Sequence, residues 1–220
     1  MVIAGKLIEI SIIVLSLAAG FISFYILSDL SKKQKKRQID ELTSKLVNFV
    51  IFIWIGKIIL NFSIFIKDPL AILAYPSDSD SFYIAVLFTA IILAYKSIRK
   101  KMKVPAFMES FLHVFLIASF LYEFIQLVWN DNTYAFGYLI LLAVLLVLFF
   151  LTRERLAASL TIMVMLIGWS AGVLVLTLIQ PFVTVFGYIM EPWFLIVFFI
   201  INISIIIFKM KLDRQGTEDI

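Results

Sequence analysis

The sequence predicts an all-α polytopic membrane protein with seven transmembrane helices, its N-terminus outside and its C-terminus in the cytoplasm. Three observations carry that expectation. Hydrophobic residues make up 63% of the 220 positions and charged residues 15%, where a soluble domain carries roughly a quarter charged. Such a chain cannot cover its own surface with polar groups, and its mean hydropathy of +1.06 agrees. Apolar runs near the length of a bilayer crossing, about 20 residues, recur along the whole chain, and lysine and arginine crowd into alternate connections.

The runs fall at 7–27, 46–66, 82–95, 107–129, 134–151, 157–179 and 186–208. Backbone groups in lipid must be satisfied within the segment, so each run reads as a helix. The first carries its basic cluster after the apolar stretch and has no good cleavage site, so it reads as a retained span and not a signal peptide. The third is the shortest, and its outer end has room to recruit part of SDSDS. Gly168 and Gly172 give the sixth a GxxxG pattern, read as close helix packing. Before the seventh, QPFVTVFGYIMEPW holds Pro181, Gly187 and Pro192, which favour a break and an outer interfacial piece. Asn48, Asn61 and Asn202 read as hydrogen-bonding across helices. With no repeat or linker in sight, residues 1–220 read as a single membrane domain.

Sixteen of the 19 cations lie in the loop SDLSKKQKKRQIDELTSK, the loop YKSIRKKMK, the turn LTRER and the tail from Lys209. Lys6 and Lys67 stand on the other side, and Lys57 lies inside a helix. The positive-inside rule sets the orientation from that asymmetry. Trp129, Trp193, Tyr75, Tyr134 and Tyr188 gather at outer helix ends, as an interfacial aromatic belt does. The absence of cysteine excludes disulfides and thiolate chemistry, and a single histidine argues against a histidine-built metal site. No phosphate loop, GxSxG or HExxH appears, so nothing has the spacing of a hydrolase, and no cofactor, metal or nucleic-acid partner is expected.

Charges inside a bilayer cost at least a few kcal/mol, roughly 3 on insertion scales, and face a cavity or a partner. Lys57, Glu109, His113 and Glu123 qualify. Counted at 1.5 Å per residue, Lys57 lies about 17 Å from the start of its run and Glu123 about 24 Å. A long lysine stem would reach Glu123, and Gln126 shares a face with Glu123 at spacing three. These residues form either a polar site in the outer half of the bundle, a structural ion pair, or side chains that snorkel to the outer headgroups. Glu109 and His113, at spacing four near the cytoplasmic end, read as contacts to headgroups or a neighbouring helix.

From about Gly5 to Lys211 the chain resembles the prolipoprotein diacylglyceryl transferase family. The likeness runs through GKLIEISIIVLSLAAGFISFYILSDLSKKQ, through WIGKIILNFSIFIKDPLAIL, where Gly56-Lys57 falls at the family's Gly-Arg, and through SFYIAVLFTAIILAYKSIRKKMKVPAFMESF. The resemblance implies seven helices with the N-terminus outside. It also implies transfer of a diacylglyceryl group from phosphatidylglycerol to a lipoprotein cysteine near the outer membrane face. The family's defining positions differ here. Tyr83-Ile84-Ala85 stands at its His-Gly-Gly, Tyr122-Glu123 and then Gln126 at its Gly-Arg and Asn, and Ala171 at the arginine of its sixth helix. An arginine would hold a phosphate by bidentate bonds, whereas Glu123 repels one. A tyrosine, titrating near about 10, is a poor base.

The expectation is a non-catalytic relative in a bacterial plasma membrane. It would bind a membrane phospholipid such as phosphatidylglycerol, a lipoprotein segment or a membrane-protein partner around Lys57, Tyr83, Glu123 and Gln126. An active transferase using Tyr83, Glu123 and Lys57 is the alternative. A small transporter is less favoured, because no inverted repeat or matched pair of broken helices is present.

Overall fold

The computed structural model describes residues 2–70, 72, 78–99 and 102–218, with backbone alone for 2–6 and 206–218. Tyr75, Lys100 and Lys101 lie outside the described residues, as do Ala71, Leu73 and Ser77. The helices are α1 (Val2–Leu27), α2 (Lys32–Leu60), α3 (Phe62–Lys67), α4 (Ser79–Ile98), α5 (Val104–Trp129), α6 (Ala135–Thr152), α7 (Ala158–Ile179) and α8 (Pro192–Glu218). A two-stranded hairpin, β1 (Thr184–Val185) and β2 (Tyr188–Ile189), precedes α8. Among the described residues six helices are long and apolar enough to cross a bilayer: α1, α2, α4, α5, α6 and α7. In α8 the described apolar stretch, Pro192–Ile205, is shorter. Large apolar side chains such as Val14, Ile22, Trp54, Leu87, Val147 and Leu178 point outward, while Ser16, Lys57, Ser119 and Glu123 are buried. This inverts the pattern of a soluble domain, as a multi-pass membrane protein requires.

Three of the boundaries that differ from the sequence reading have a clear local reason. The basic loop after α1 is largely helix, because Ser31 and Gln34 form a capping box. The Ser31 hydroxyl accepts the Gln34 N–H at 3.4 Å, and the Gln34 side chain accepts the Ser31 N–H at 3.0 Å. The helix expected from residue 46 therefore begins at Lys32. It also stops early. Asn61 ends it with φ −119° and ψ 38°, its side-chain amide donating to the Lys57 carbonyl at 3.1 Å. Asn202 bonds the Phe198 carbonyl of its own helix in the same way, at 2.7 Å. For both residues this replaces the cross-helix bond expected from sequence, since an amide within reach of the preceding turn satisfies itself locally.

The third difference is at residue 186, where the run expected to be helical begins with the hairpin. Thr184 pairs with Ile189 and Val185 with Tyr188. The two turn residues, Phe186 and Gly187, have φ of 50° and 87°, the conformation that two-residue hairpins require. Phe186 adopts it at a steric cost, offset by its ring packing on Phe115 and Tyr122 at centroid distances of 6.1 and 5.4 Å. Pro192 then opens α8, at the position where a missing N–H costs nothing.

The chain forms two compact units, Phe24–Phe111 on one hand and Met1–Ser23 with Leu112–Ile220 on the other. In the central unit α2 packs along α4. Gly56 permits the approach, since a Cβ there would stand 2.9 Å from the Ser81 carbonyl oxygen. Phe49 on Phe82 and Phe52 on Phe88 extend the contact edge to face. Asp78 caps α4 by accepting the Ser81 N–H at 2.9 Å and the Ser81 hydroxyl. In the terminal unit α6 packs on α7 and α7 on α8. Gly168 and Gly172 face Leu145 and Leu141 of α6, which gives the GxxxG pattern its packing role.

Candidate functional site

The terminal unit gathers buried polar side chains. Gly20 of α1 lies against α5, where a Cβ would meet the Val114 carbonyl oxygen at 2.7 Å and the Ala118 methyl at 3.4 Å. Ser16, one turn from Gly20 on the same face of α1, is fully buried. On α5, Ser119 and Glu123 are spaced four apart and are 2% and 1% exposed. Ser16 Oγ, Ser119 Oγ and Glu123 Oε1 have no hydrogen-bond partner among the described residues. A buried polar atom without a partner costs about 1–3 kcal/mol, and folded proteins rarely tolerate one without a reason.

Aromatic groups wall this cluster. Tyr138 of α6 is buried, lies within electrostatic reach of Glu123 and approaches Ser119. Its hydroxyl oxygen accepts the Trp169 indole N–H of α7 at 2.8 Å. Tyr122 is buried beside Glu123, interacts with the Gln126 side chain, and has Glu9 and Tyr188 nearby. The hairpin turn sits against Tyr122, with a Cβ on Gly187 standing 3.3 Å from the Tyr122 hydroxyl. The Gln126 carbonyl oxygen of the side chain also accepts from the Asn130 amide at 2.7 Å. Gln126 is thus tied to the end of α5, half-buried, while Glu123 turns inward.

Lys57 and Tyr83 belong to the central unit. Lys57 is 5% exposed and follows Gly56 at the α2–α4 crossing; Tyr83 is 6% exposed on the buried face of α4, two residues beyond Ser81. The structure therefore gathers Glu123 and Gln126 in one unit and Lys57 and Tyr83 in the other. Glu109 is half-buried near the start of α5. His113 is 2% exposed, with Nε2 3.2 Å from Ser23 Oγ and its ring edge-on to Phe149 and Phe150 at 5.8 and 5.3 Å. That aromatic enclosure suits a packed core histidine held by a serine.

Sequence reasoning passed over Ser16, Ser119, Tyr138 and Trp169. One signal for the first was present. Ser16 and Gly20 form a small-xxx-small spacing of the kind that brings membrane helices together.

The cluster can accept hydrogen bonds through Glu123 and both donate and accept through Ser16 and Ser119. Those capacities suit a hydroxyl-bearing or ammonium group. Among the described residues no group of three or more His, Asp or Glu side chains has the arrangement to hold a metal ion. Comparison of the chain with family models, with curated proteins and with solved structures finds no match.

Proposed function

We propose that this chain is a non-catalytic relative of the prolipoprotein diacylglyceryl transferases. On this reading it resides in a bacterial plasma membrane and holds the polar end of a lipid, or a lipoprotein segment, at the Glu123 cluster. The observation that carries the reading is the buried Glu123 Oε1 without a hydrogen-bond partner among the described residues, together with Ser16 Oγ and Ser119 Oγ in the same condition. A ligand hydroxyl or ammonium supplies the missing bonds. Glu123 stands where the resemblance leads one to expect an arginine, so the site keeps a polar pocket without the charge that grips phosphate. Seven crossings with the N-terminus outside fit this reading. They are supported by the cation distribution and by the 27-residue length of α8, about 40 Å of helix.

The test is incubation of the purified protein with phosphatidylglycerol and a synthetic lipobox-cysteine peptide, beside an active transferase. Mass spectrometry should find no diacylglyceryl-modified peptide, while native spectra should show lipid or peptide bound. Formation of the thioether-linked product would overturn the non-catalytic reading and give chemistry to Tyr83, Glu123 or Lys57. Neither product nor bound species would overturn the binding reading.

A further inference from the structure

The central unit contains a cavity of about 480 Å³ lined by Lys33, Lys36, Arg37, Lys45 and Lys96, with Asp40, Glu41, Ser44 and Met102 completing the wall. The α2 contributors recur at spacings of three and four, so they form one stripe along the helix. Lys96 reaches the same space from the end of α4. Five cations face two carboxylates. Among the described residues one ion pair is evident within the stripe, Arg37 to Glu41 at 3.8 Å, and the Arg37 side chain there is 72% exposed.

The Lys45 and Lys96 ammonium groups stand within interaction range of one another, a like-charge contact. Both side chains are half-buried. Two ammonium groups that close repel one another, and an anion bound between them relieves the repulsion. The depth is informative too. Lys45 is the last charged residue before the apolar half of α2, in which Lys57 is the next charge, so the cleft lies at the polar end of the apolar run. Basic clusters at that level attract anionic groups at roughly 1 kcal/mol per cation, and a shaped cleft adds directed bonds from arginine and serine.

We propose that this cleft is a binding site for a phosphate group, with Lys45 and Lys96 gripping it from two helices and Arg37 and Ser44 completing its hydrogen bonds. The site lies in the central unit and is independent of the Glu123 cluster. The phosphate belongs either to a lipid headgroup or to a soluble phosphate compound, and the experiment separates the two sources.

The full chain, in detergent, is titrated with inorganic phosphate and glycerol phosphate while thermal unfolding is followed. In parallel it is equilibrated with detergent micelles doped with equal amounts of phosphatidylglycerol and diacylglycerol, and retained lipid is read by native mass spectrometry. The proposal expects retention of phosphatidylglycerol over diacylglycerol, or a rise in unfolding temperature with soluble phosphate. The arm that responds names the source. The double variant K45Q/K96Q should weaken the responding arm about tenfold, as loss of charge-assisted bonds does, while K67Q, on exposed α3, should leave it unchanged. Two results overturn the proposal: wild-type protein indifferent to phosphate in both arms, or K45Q/K96Q equal to wild type. Should the double variant not fold, wild-type preference and its loss in K45Q alone decide the matter.

Discussion

The two units use charge in opposite ways. The terminal unit buries a carboxyl group, Glu123, and two serine hydroxyls, Ser16 and Ser119, with Tyr138 near Glu123 and Ser119. The central unit buries one lysine, Lys57, and gathers five further cations around an open cleft. Both are assembled by the same device, a glycine that lets two helices approach backbone to backbone: Gly20 against Val114 in one, Gly56 against Ser81 in the other. Net charge, a mere +4, conceals this division. The chemistry a helix offers depends on whether its polar groups face a packed neighbour or an open cleft.

The largest expected effect comes from breaking the shared device. Gly20→Val or Gly56→Val drives a side chain into a backbone carbonyl oxygen and should cost about 3 kcal/mol, seen as a large fall in unfolding temperature in detergent. Gly172→Ala makes the informative contrast. There the atoms in the way are the methyl ends of Leu141, which can rotate aside, so about 1 kcal/mol is expected. Equal losses at all three glycines would refute the distinction between backbone and side-chain contact.

Trp169→Phe comes next. It removes the indole N–H that Tyr138 accepts in the buried α6–α7 interface, for a loss of about 1–2 kcal/mol. An unchanged unfolding temperature would show that this bond contributes nothing to the wall of the Glu123 cluster. Ser31→Ala opens the capping box of α2 and should cost about 1 kcal/mol. Because Lys33, Lys36 and Arg37 follow within the first two turns, it should also weaken phosphate binding in the cleft. Binding that survives a frayed α2 start would argue against a role for those three residues.

The smallest stability effect belongs to Glu123→Gln. A carboxylate oxygen with no hydrogen-bond partner among the described residues contributes little to folding. The expected change is therefore within about 1 kcal/mol, whereas one half of a buried ion pair would take about 3–5 kcal/mol with it.

Six of the seven runs read from the sequence fall on helices long and apolar enough to cross a bilayer, because a crossing leaves a long apolar signature that needs no tertiary information. Helix ends were harder. Ser31-x-x-Gln34 is a capping box readable from the sequence, but it sits in a run so basic that it reads as a loop. The Phe186-Gly187 turn hides inside an apolar stretch, since a hairpin stabilised by aromatic packing on Phe115 and Tyr122 carries no strong turn dipeptide. Glu123 and Lys57 stand out in their apolar runs by charge and both are buried, but they fall in different units, which spacing along the chain does not reveal. Ser16 and Ser119 were not legible, because a serine in a membrane helix ordinarily bonds its own preceding turn, as Ser170 does with Leu166 at 2.8 Å. Only the packing of α1 and α5 separates the two kinds.

The most direct test of the central claim is ligand retention by wild-type and Glu123→Gln protein taken from the same membranes. Native mass spectrometry would read the bound lipid or lipoprotein peptide, and thermal unfolding would be recorded in parallel. A binding site predicts that the variant loses its bound species while its unfolding temperature stays close to that of the wild type. Full retention by the variant, or a collapse in stability with no ligand bound in either protein, would contradict it.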